Sequence, residues 1–299
     1  MTLSKLTLPW QPRNSTAFQV MSDLHLEVGQ QYSDFHIEPR APRLILAGDI
    51  GRLADYNAYR EFLCTQCENF KAVYLVLGNH EFFGVSRREG LRLADQLQEE
   101  PHMNGRLIIL NRKRADIDNI TILGCTLHSH VPPESEQIVA HKINDFRRIQ
   151  EWTVANHNSE HAADLKWLAE EISSLRNTGP GSKRKIVVIT HHAPSTRGTS
   201  KPSDEGNPWS SAFGTDLLDT SQKSCLDHVH CWIYGHTHHS SESIHGQVRL
   251  VSNQRGYVLP GQSSQRPKSS GGIMAKYFGL KDHSKGKHNI FDIGKVIEV

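Results

Sequence analysis

Five short polar clusters hold the residue types that bind divalent metals. They are Asp23 and His25 in Ser-Asp-Leu-His-Leu-Glu, Asp49 in Gly-Asp-Ile-Gly, and Asn79, His80 and Glu81 in Gly-Asn-His-Glu. Thr-His-His-Ala-Pro supplies His191 and His192, and Gly-His-Thr-His supplies His236 and His238. Imidazole, carboxylate and amide oxygen together suit borderline divalent ions. The set is larger than one tetrahedral ion uses. Two ions about 3.5–4 Å apart, sharing a bridging carboxylate, would use it in full and could clamp a displacement at an ester. A lone Asp-x-His is weak evidence for a metal, whereas five linked clusters in one chain are specific.

Each cluster follows a short apolar run. Residues 18–21, 44–47, 73–77, 186–189 and 231–234 precede the five in order, and 107–110 and 120–123 are similar runs. They are too short for helices and rich in Val, Ile and Leu, so they read as strands. A further strand at 123–127 would lead to His128 and His130. Apolarity that is continuous rather than alternating implies cover on both faces. Helical patterns at 54–67, 86–99 and 160–175 lie between some of the strands; the last carries Ala163, Trp167, Ile172 and Leu175. The alternation predicts an α/β sandwich of one domain. In open α/β sheets, sites form outside the carboxyl ends of the strands, where all five clusters would converge. Residues 195–208 and 261–289 read as loops, and strands at 247–251 and 295–299 flank the second. The expected layout is a core at about 17–260, a mobile loop at 261–288 and a terminal strand within 289–299.

Length and composition narrow the class. The chain has 299 residues, 37% hydrophobic and 22% charged, which excludes wholesale disorder. Lys+Arg is 34 against Asp+Glu 32, so no overall charge argues for a nucleic-acid coat or a membrane surface. The balance hides a basic stretch at 265–287, with Arg266, Lys268, Lys276, Lys281, Lys285 and Lys287 against Asp282. It reads as a solvated loop, with collection of polyanionic substrates or partners as the sharper alternative. No apolar run approaches the ~20 residues of a membrane helix. The first residues lack the apolar stretch of a signal peptide. Five cysteines are too few and odd in number for a disulfide framework, so a reducing compartment, cytoplasmic or nuclear, is expected.

Asp-x-His, Gly-Asp, Gly-Asn-His-Glu, His and Gly-His-x-His, in that order, resemble the calcineurin-like metallophosphoesterase superfamily. The resemblance runs from about Ala17 to His238, with weaker likenesses in Asn-Asp-Phe-Arg-Arg at 144–148, Val-Ser-Asn-Gln-Arg-Gly-Tyr at 251–257 and the closing Val-Ile-Glu-Val. It implies a β-sandwich flanked by helices and hydrolysis of phosphoesters by two divalent ions (Mn, Fe, Zn or Ni). It implies that Asp23, His25 and His238 hold the first ion. Asn79, His191 and His236 would hold the second, and Asp49 would bridge. His191 is taken over His192 because it directly ends the strand. His80 would face the leaving group as the acid. Two divalent ions against Asp23, Asp49 and a hydroxide leave a small positive excess, which attracts a phosphate ester without trapping the product. The protein-phosphatase branch carries Gly-Asp-x-Val-Asp-Arg-Gly where this chain has Gly-Asp-Ile-Gly-Arg-Leu at 48–53. The resemblance therefore favours a phosphodiesterase-like enzyme acting on a small or nucleotide-like ester, with a phosphomonoesterase as the alternative. A metal-free binding module is the reading from another class. None of the seven ligand positions is substituted, which argues against it.

Other signals read more plainly. Cys64-x-x-Cys67 lies inside a helical pattern, so packing outweighs redox chemistry. His157 and His161, four apart, read as a solvated helix start. His128 and His130 read equally as substrate mouth or surface loop. Asn144, Asp145 and Arg147 could orient substrate, with Arg147 pairing a phosphate oxygen; a salt-bridged loop would look the same. His192, beside a ligand, is a second tentative substrate contact.

Overall fold

Successive side chains of a strand point to opposite faces, so a strand apolar at every position must be covered twice. The computed structural model describes residues 16–177, 184–218, 224–259 and 290–299. In chain order the strands are β1 (Ala17–Met21), β2 (Arg43–Ala47), β3 (Ala72–Val76), β4 (Leu107–Ile109), β5 (Lys113–Ile117), β6 (Ile120–Cys125), β7 (Lys185–Thr190), β8 (Cys231–Tyr234), β9 (Glu242–His245), β10 (Val248–Ser252) and β11 (Val296–Glu298). The helices are α1 (Tyr56–Asn69), α2 (Arg87–Glu99), α3 (Glu136–Lys142), α4 (Asp145–Arg148) and α5 (Val154–Asn177).

Two sheets form, in the orders β11-β1-β2-β3-β4 and β5-β6-β7-β8-β10-β9. β1 to β4 run parallel, as do β6, β7, β8 and β10, with antiparallel strands at the edges. The inner faces meet in one core, where Ile45, Val20 and Val76 share a cluster with Val187, Ile189 and Ile233. The alternate residues face outward. Leu44 and Leu46 pack with Tyr59, Phe62 and Leu63 of α1. Ile186 and Val188 pack with Leu168 and Ile172 of α5. The result is a β-sandwich flanked by helices, in a single domain.

The strands that lead into the five clusters form where the apolar runs place them. β5 and β9 have no such run. They are edge strands, largely polar and half-solvated, and an edge needs only one apolar face. The expected strand at 123–127 is absent as a separate element: β6 ends at Cys125, and Leu127 and His128 take left-handed backbone. The two strands expected around the insert form, but in different sheets. β10 joins β8 and β9, while β11 pairs antiparallel with β1. α5 starts well before residue 160, and α3 and α4 were not anticipated. The α2 start is fixed by Ser86, whose Oγ accepts from Glu89 N at 3.2 Å. Residues 195–208 carry neither helix nor strand. The loop expected at 261–288, with its basic stretch at 265–287, lies outside the described residues apart from what flanks it.

Candidate metal centre

All five clusters leave the carboxyl ends of parallel strands. β1 delivers Asp23 and His25, β2 Asp49, and β3 Asn79 and His80. From the other sheet, β7 delivers His191, and β8 delivers His236 and His238. The site therefore sits on the shared rim of both sheets. The turns that aim these side chains are strained. Asp23, His25, Asp49, His236 and His238 have φ of 52°, 48°, 54°, 72° and 48°. Left-handed backbone is unfavourable for residues with a Cβ, and it concentrates at functional sites.

Backbone and side-chain bonds lock these turns together. Asp23 N donates to Gly48 O and His25 N to Asp49 O, both at 3.0 Å. His236 N donates to Asp23 Oδ1 at 2.9 Å. Glu81 is buried and accepts from Gly78 N at 2.8 Å, Asp49 N at 2.9 Å, Ile50 N at 2.9 Å and Tyr59 Oη at 3.1 Å. Burial, with the Asp49 charge beside it, pushes its carboxyl up to about 7. Two glycines are sterically required here. A Cβ on Gly235 would lie 2.6 Å from Asp23 Oδ2, and one on Gly78 would collide with Asp49 Oδ1.

The donor atoms fall into adjoining groups. Asp23, His25 and His238 offer ligand atoms within 4.8 Å of one another, and so do Asp49, His191 and His236. Asn79 Oδ1 is 3.0 Å from His191 Nε2 and so joins the second group. Asp49 lies between the two: Oδ1 is 3.3 Å from His191 Nε2, and Oδ2 is 3.9 Å from His25 Nε2. A third group, His25, Glu27 and His80, adjoins the first.

The chemistry of this set fits divalent ions. His25 Nε2 faces His238 Nε2 at 2.8 Å, and His191 Nε2 faces His236 Nδ1 at 3.1 Å. Two buried imidazole lone pairs that converge need a proton or a cation between them. The rings are also oriented from behind. His191 Nδ1 is 3.0 Å from Ala47 O, which can only accept, so Nδ1 carries the hydrogen and Nε2 is left for a ligand. Glu27 does the same for His25 Nδ1 at 3.3 Å. Asn79 is aimed by Asp145, whose Oδ1 accepts from Nδ2 at 2.7 Å and leaves Oδ1 of the amide facing inward.

Charges in the cluster are out of balance without cations. Burial pushes Asp23 up to about 6, against the pull of His191. Burial disfavours charge on His191 too, yet the Asp49 carboxylate outweighs it and raises His191 to about 10. Burial likewise opposes the Asp49 charge, but His191 and His80 hold its carboxyl well below the usual range. His236 and His238 are held well below the ordinary imidazole value, first by burial and then by neighbouring histidines. Positive charge among these histidines balances the buried carboxylates, which is the balance a divalent cation would also supply.

His80 stands at the edge of this centre. Its backbone N donates to Asp49 Oδ1 at 2.8 Å, and its Nδ1 lies 2.8 Å from Glu27 Oε1. Its Nε2 lies 3.0 Å from Tyr257 Oη and 3.9 Å from Asp49 Oδ2. Burial lowers its pKa, although Asp49 and Glu27 pull the other way. Burial also works against the Glu27 charge, but bonds from His25 and His80 bring that carboxyl down to about 2.

The other anticipated residues are placed as follows. His192 is buried and stacks on His236, ring centroids 3.9 Å apart. Arg147 is not brought into the cluster: its exposed guanidinium donates to His141 O and Asn144 Oδ1 on its own loop. His157 and His161 do not form a solvated helix start. Both are buried: His157 Nε2 is 3.1 Å from Ser129 Oγ and His161 Nδ1 is 3.0 Å from Leu127 O. The chain before α5 folds back over them, which spacing alone does not reveal. His128 is buried and His130 exposed. Cys64 and Cys67 are unpaired thiols on α1, and burial pushes Cys67 up to about 12, as for a packing residue. Glu27 and Tyr257 were missed. Glu27 carries a faint signal, since Asp23, His25 and Glu27 alternate within one motif. Tyr257 closes the Val-Ser-Asn-Gln-Arg-Gly-Tyr segment, a weak family likeness, but only the fold brings it to His80.

The chain is similar to several known proteins. An uncharacterized protein of Acanthamoeba polyphaga mimivirus is 26% identical over 260 residues, covering 79% of this chain and 90% of that protein. The crystal structure of a phosphopantetheinyl hydrolase from Mycobacterium tuberculosis aligns with a TM-score of 0.59 at 19% identity, over 81% of this chain and 89% of that one. A dimetal phosphatase from Danio rerio aligns at 0.47 and 15% identity, over 80% and 87% of the two chains. The family model for calcineurin-like phosphoesterases matches residues 18–240, which takes in every cluster on the rim. The chain belongs to the calcineurin-like phosphoesterase family, hydrolases that act on ester bonds.

Proposed function

We propose that the chain hydrolyses phosphate esters with two divalent ions, one held by Asp23, His25 and His238, the other by Asn79, His191 and His236, with Asp49 shared. The observation that carries this reading is the position of Asp49 between the two donor groups, 3.3 Å from His191 and 3.9 Å from His25. When bound, such ions neutralise developing charge and bring the pKa of water down to about 7. The chain's own residues do the rest. The carbonyl of Ala47, the carboxylate of Glu27 and the carboxylate of Asp145 set the orientation of His191, His25 and Asn79. His192, stacked on His236, steadies that ring. His80 supplies the proton for the leaving oxygen. The anionic Glu27 carboxylate at its Nδ1 supports the imidazolium this requires.

The substrate is proposed to be a small or nucleotide-like phosphodiester. Among the described residues, no lysine or arginine donates a hydrogen bond into the donor groups, and Arg147 is engaged on its own loop. A diester carries one negative charge and a monoester close to two, so donor groups that receive no lysine or arginine hydrogen bond from the described residues suit the diester better.

The test compares hydrolysis of a nitrophenyl phosphate monoester, its bis-ester and cyclic nucleotides, each with Mn²⁺, Zn²⁺ or EDTA. The wild-type chain is expected to bind two ions and to prefer the diesters. Asp49→Ala is expected to lose both ions and nearly all turnover. Protein that takes up no metal and cleaves none of these esters would sink the proposal, and a monoester preference would overturn its substrate half.

A further inference from the structure

Tyr257 belongs to none of the five clusters, yet the fold spends many contacts on placing it. The preceding residues are bolted to the site loops. Asn253 Nδ2 donates to Val20 O and Asp292 O, both at 2.7 Å. Gln254 Nε2 donates to Thr237 Oγ1 at 3.0 Å. Arg255 reaches Leu24 O at 2.9 Å and Gln31 Oε1 at 2.8 Å, with its guanidinium 4.7 Å from the Phe35 ring. Gly256 then turns with φ 70°, at a point where a Cβ would be 3.6 Å from His238. These bonds hold the segment, and it delivers the Tyr257 ring 4.3 Å from His25 and 4.7 Å from His238. Its hydroxyl ends 3.0 Å from His80 Nε2.

We propose that Tyr257 is a positioning residue for His80: its hydroxyl oxygen accepts from Nε2 while the Glu27 carboxylate accepts from Nδ1, so the imidazolium has a single orientation, and the Nε2 hydrogen, shared with the leaving oxygen once substrate is bound, passes to that oxygen as the ester bond breaks. The proposal rests on His80 being the acid of the phosphoesterase reading. Carboxylate and hydroxyl bracket the imidazole at 2.8 Å and 3.0 Å, and the Phe83 ring packs on it with centroids 4.1 Å apart. A ring bonded at one nitrogen can swing about its χ angles; bonded at both, it cannot without losing a contact. Misplacing a proton donor by about 1 Å lowers turnover strongly without changing ground-state binding. The aromatic contacts to His25 and His238 involve the ring alone, so Tyr257→Phe keeps them and removes only the hydroxyl.

The experiment is a double-mutant cycle of Tyr257→Phe and His80→Ala in metal-loaded protein, with metal content measured on every variant. Tyr257→Phe is expected to keep two ions per chain and an unchanged KM. Its kcat should fall about fivefold to tenfold on esters with an alkoxide leaving group, the worth of about one hydrogen bond, and hardly at all with nitrophenolate. In the His80→Ala background it should cause no further loss. An equal loss in both backgrounds, or no loss on alkoxide esters, would overturn the proposal. A readout independent of turnover is the ¹⁵N resonance of His80 in chelated protein. Tyr257→Phe should move Nε2 and leave Nδ1 in place; an unmoved Nε2 would refute the contact. If the wild type proves inactive on every ester, the phosphoesterase reading fails, and the nitrogen resonance still decides whether Tyr257 holds His80.

Discussion

Glu81 closes two turns of the site at once, and its removal should separate the scaffold's contribution from the chemistry. Its Oε2 accepts from Gly78 N and Asp49 N, and its Oε1 from Ile50 N and Tyr59 Oη, all at a fully buried position. Glu81→Ala leaves three backbone N–H groups with no acceptor. Each buried donor left unpaired costs about 1–3 kcal/mol, so the total is about 3–9 kcal/mol. That is a large part of the ~5–15 kcal/mol by which a protein is stable. Glu81→Gln should be much milder. If its amide nitrogen takes the Oε1 position, only the Ile50 bond is lost, since the Tyr59 hydroxyl can turn and accept. The expected loss is about 1–3 kcal/mol. The assay is urea unfolding of chelated protein, with metal content measured on reloaded samples. The alanine variant should be less stable than the glutamine variant by at least about 2 kcal/mol. It should also bind less metal, because Asp49, at φ 54°, is no longer held. Variants equal in stability to within about 1 kcal/mol would refute the reasoning, since the orphaned donors would then carry no penalty.

Gly78→Ala should weaken metal binding, because the new methyl would collide with Asp49 Oδ1 and lie 2.9 Å from His191 Cδ2; a metal titration matching wild type would contradict this. His157 gives a pH prediction. Burial lowers it from 6.5 to about 3 in the folded chain, so between those values the unfolded chain binds a proton that the fold does not. Stability should therefore fall as pH drops below 6.5, by about 2 kcal/mol at pH 5 from this residue. The slope should shrink in His157→Gln, and an unchanged slope would count against the burial. Arg147→Ala should leave kcat and KM unaltered, since the side chain is bonded within its own loop; a raised KM would return it to the substrate site.

Much of this centre was legible because it is local. An apolar run and a candidate ligand lie within a few positions of each other, with a glycine between them at Asp49, Asn79 and His236, and a parallel strand must release such a residue at its carboxyl end. That logic placed the five clusters at five strand ends on one rim; the choice of Asp23, His25, Asp49, Asn79, His191, His236 and His238 within them came from the family resemblance. The logic failed where structure depends on cover rather than pattern. β5 and β9 are edge strands with little apolar content, and His157 looks like a solvated helix residue until the chain before it folds over.

By itself the sequence determined the α/β alternation, the order of the donor clusters and the kind of chemistry they suit. The tertiary structure decided which donors meet. His25 and His238 are 213 positions apart, and His80 and Tyr257 are 177 apart. It also decided that β10 and β11 enter different sheets, that Glu27 serves two histidines, and that Arg147 turns away from the site. The physical reason is one of range. Hydrophobic period and turn chemistry act over a few residues and leave a mark in the sequence. Hydrogen bonds between separate strand ends depend on how two sheets stack, which no local pattern records.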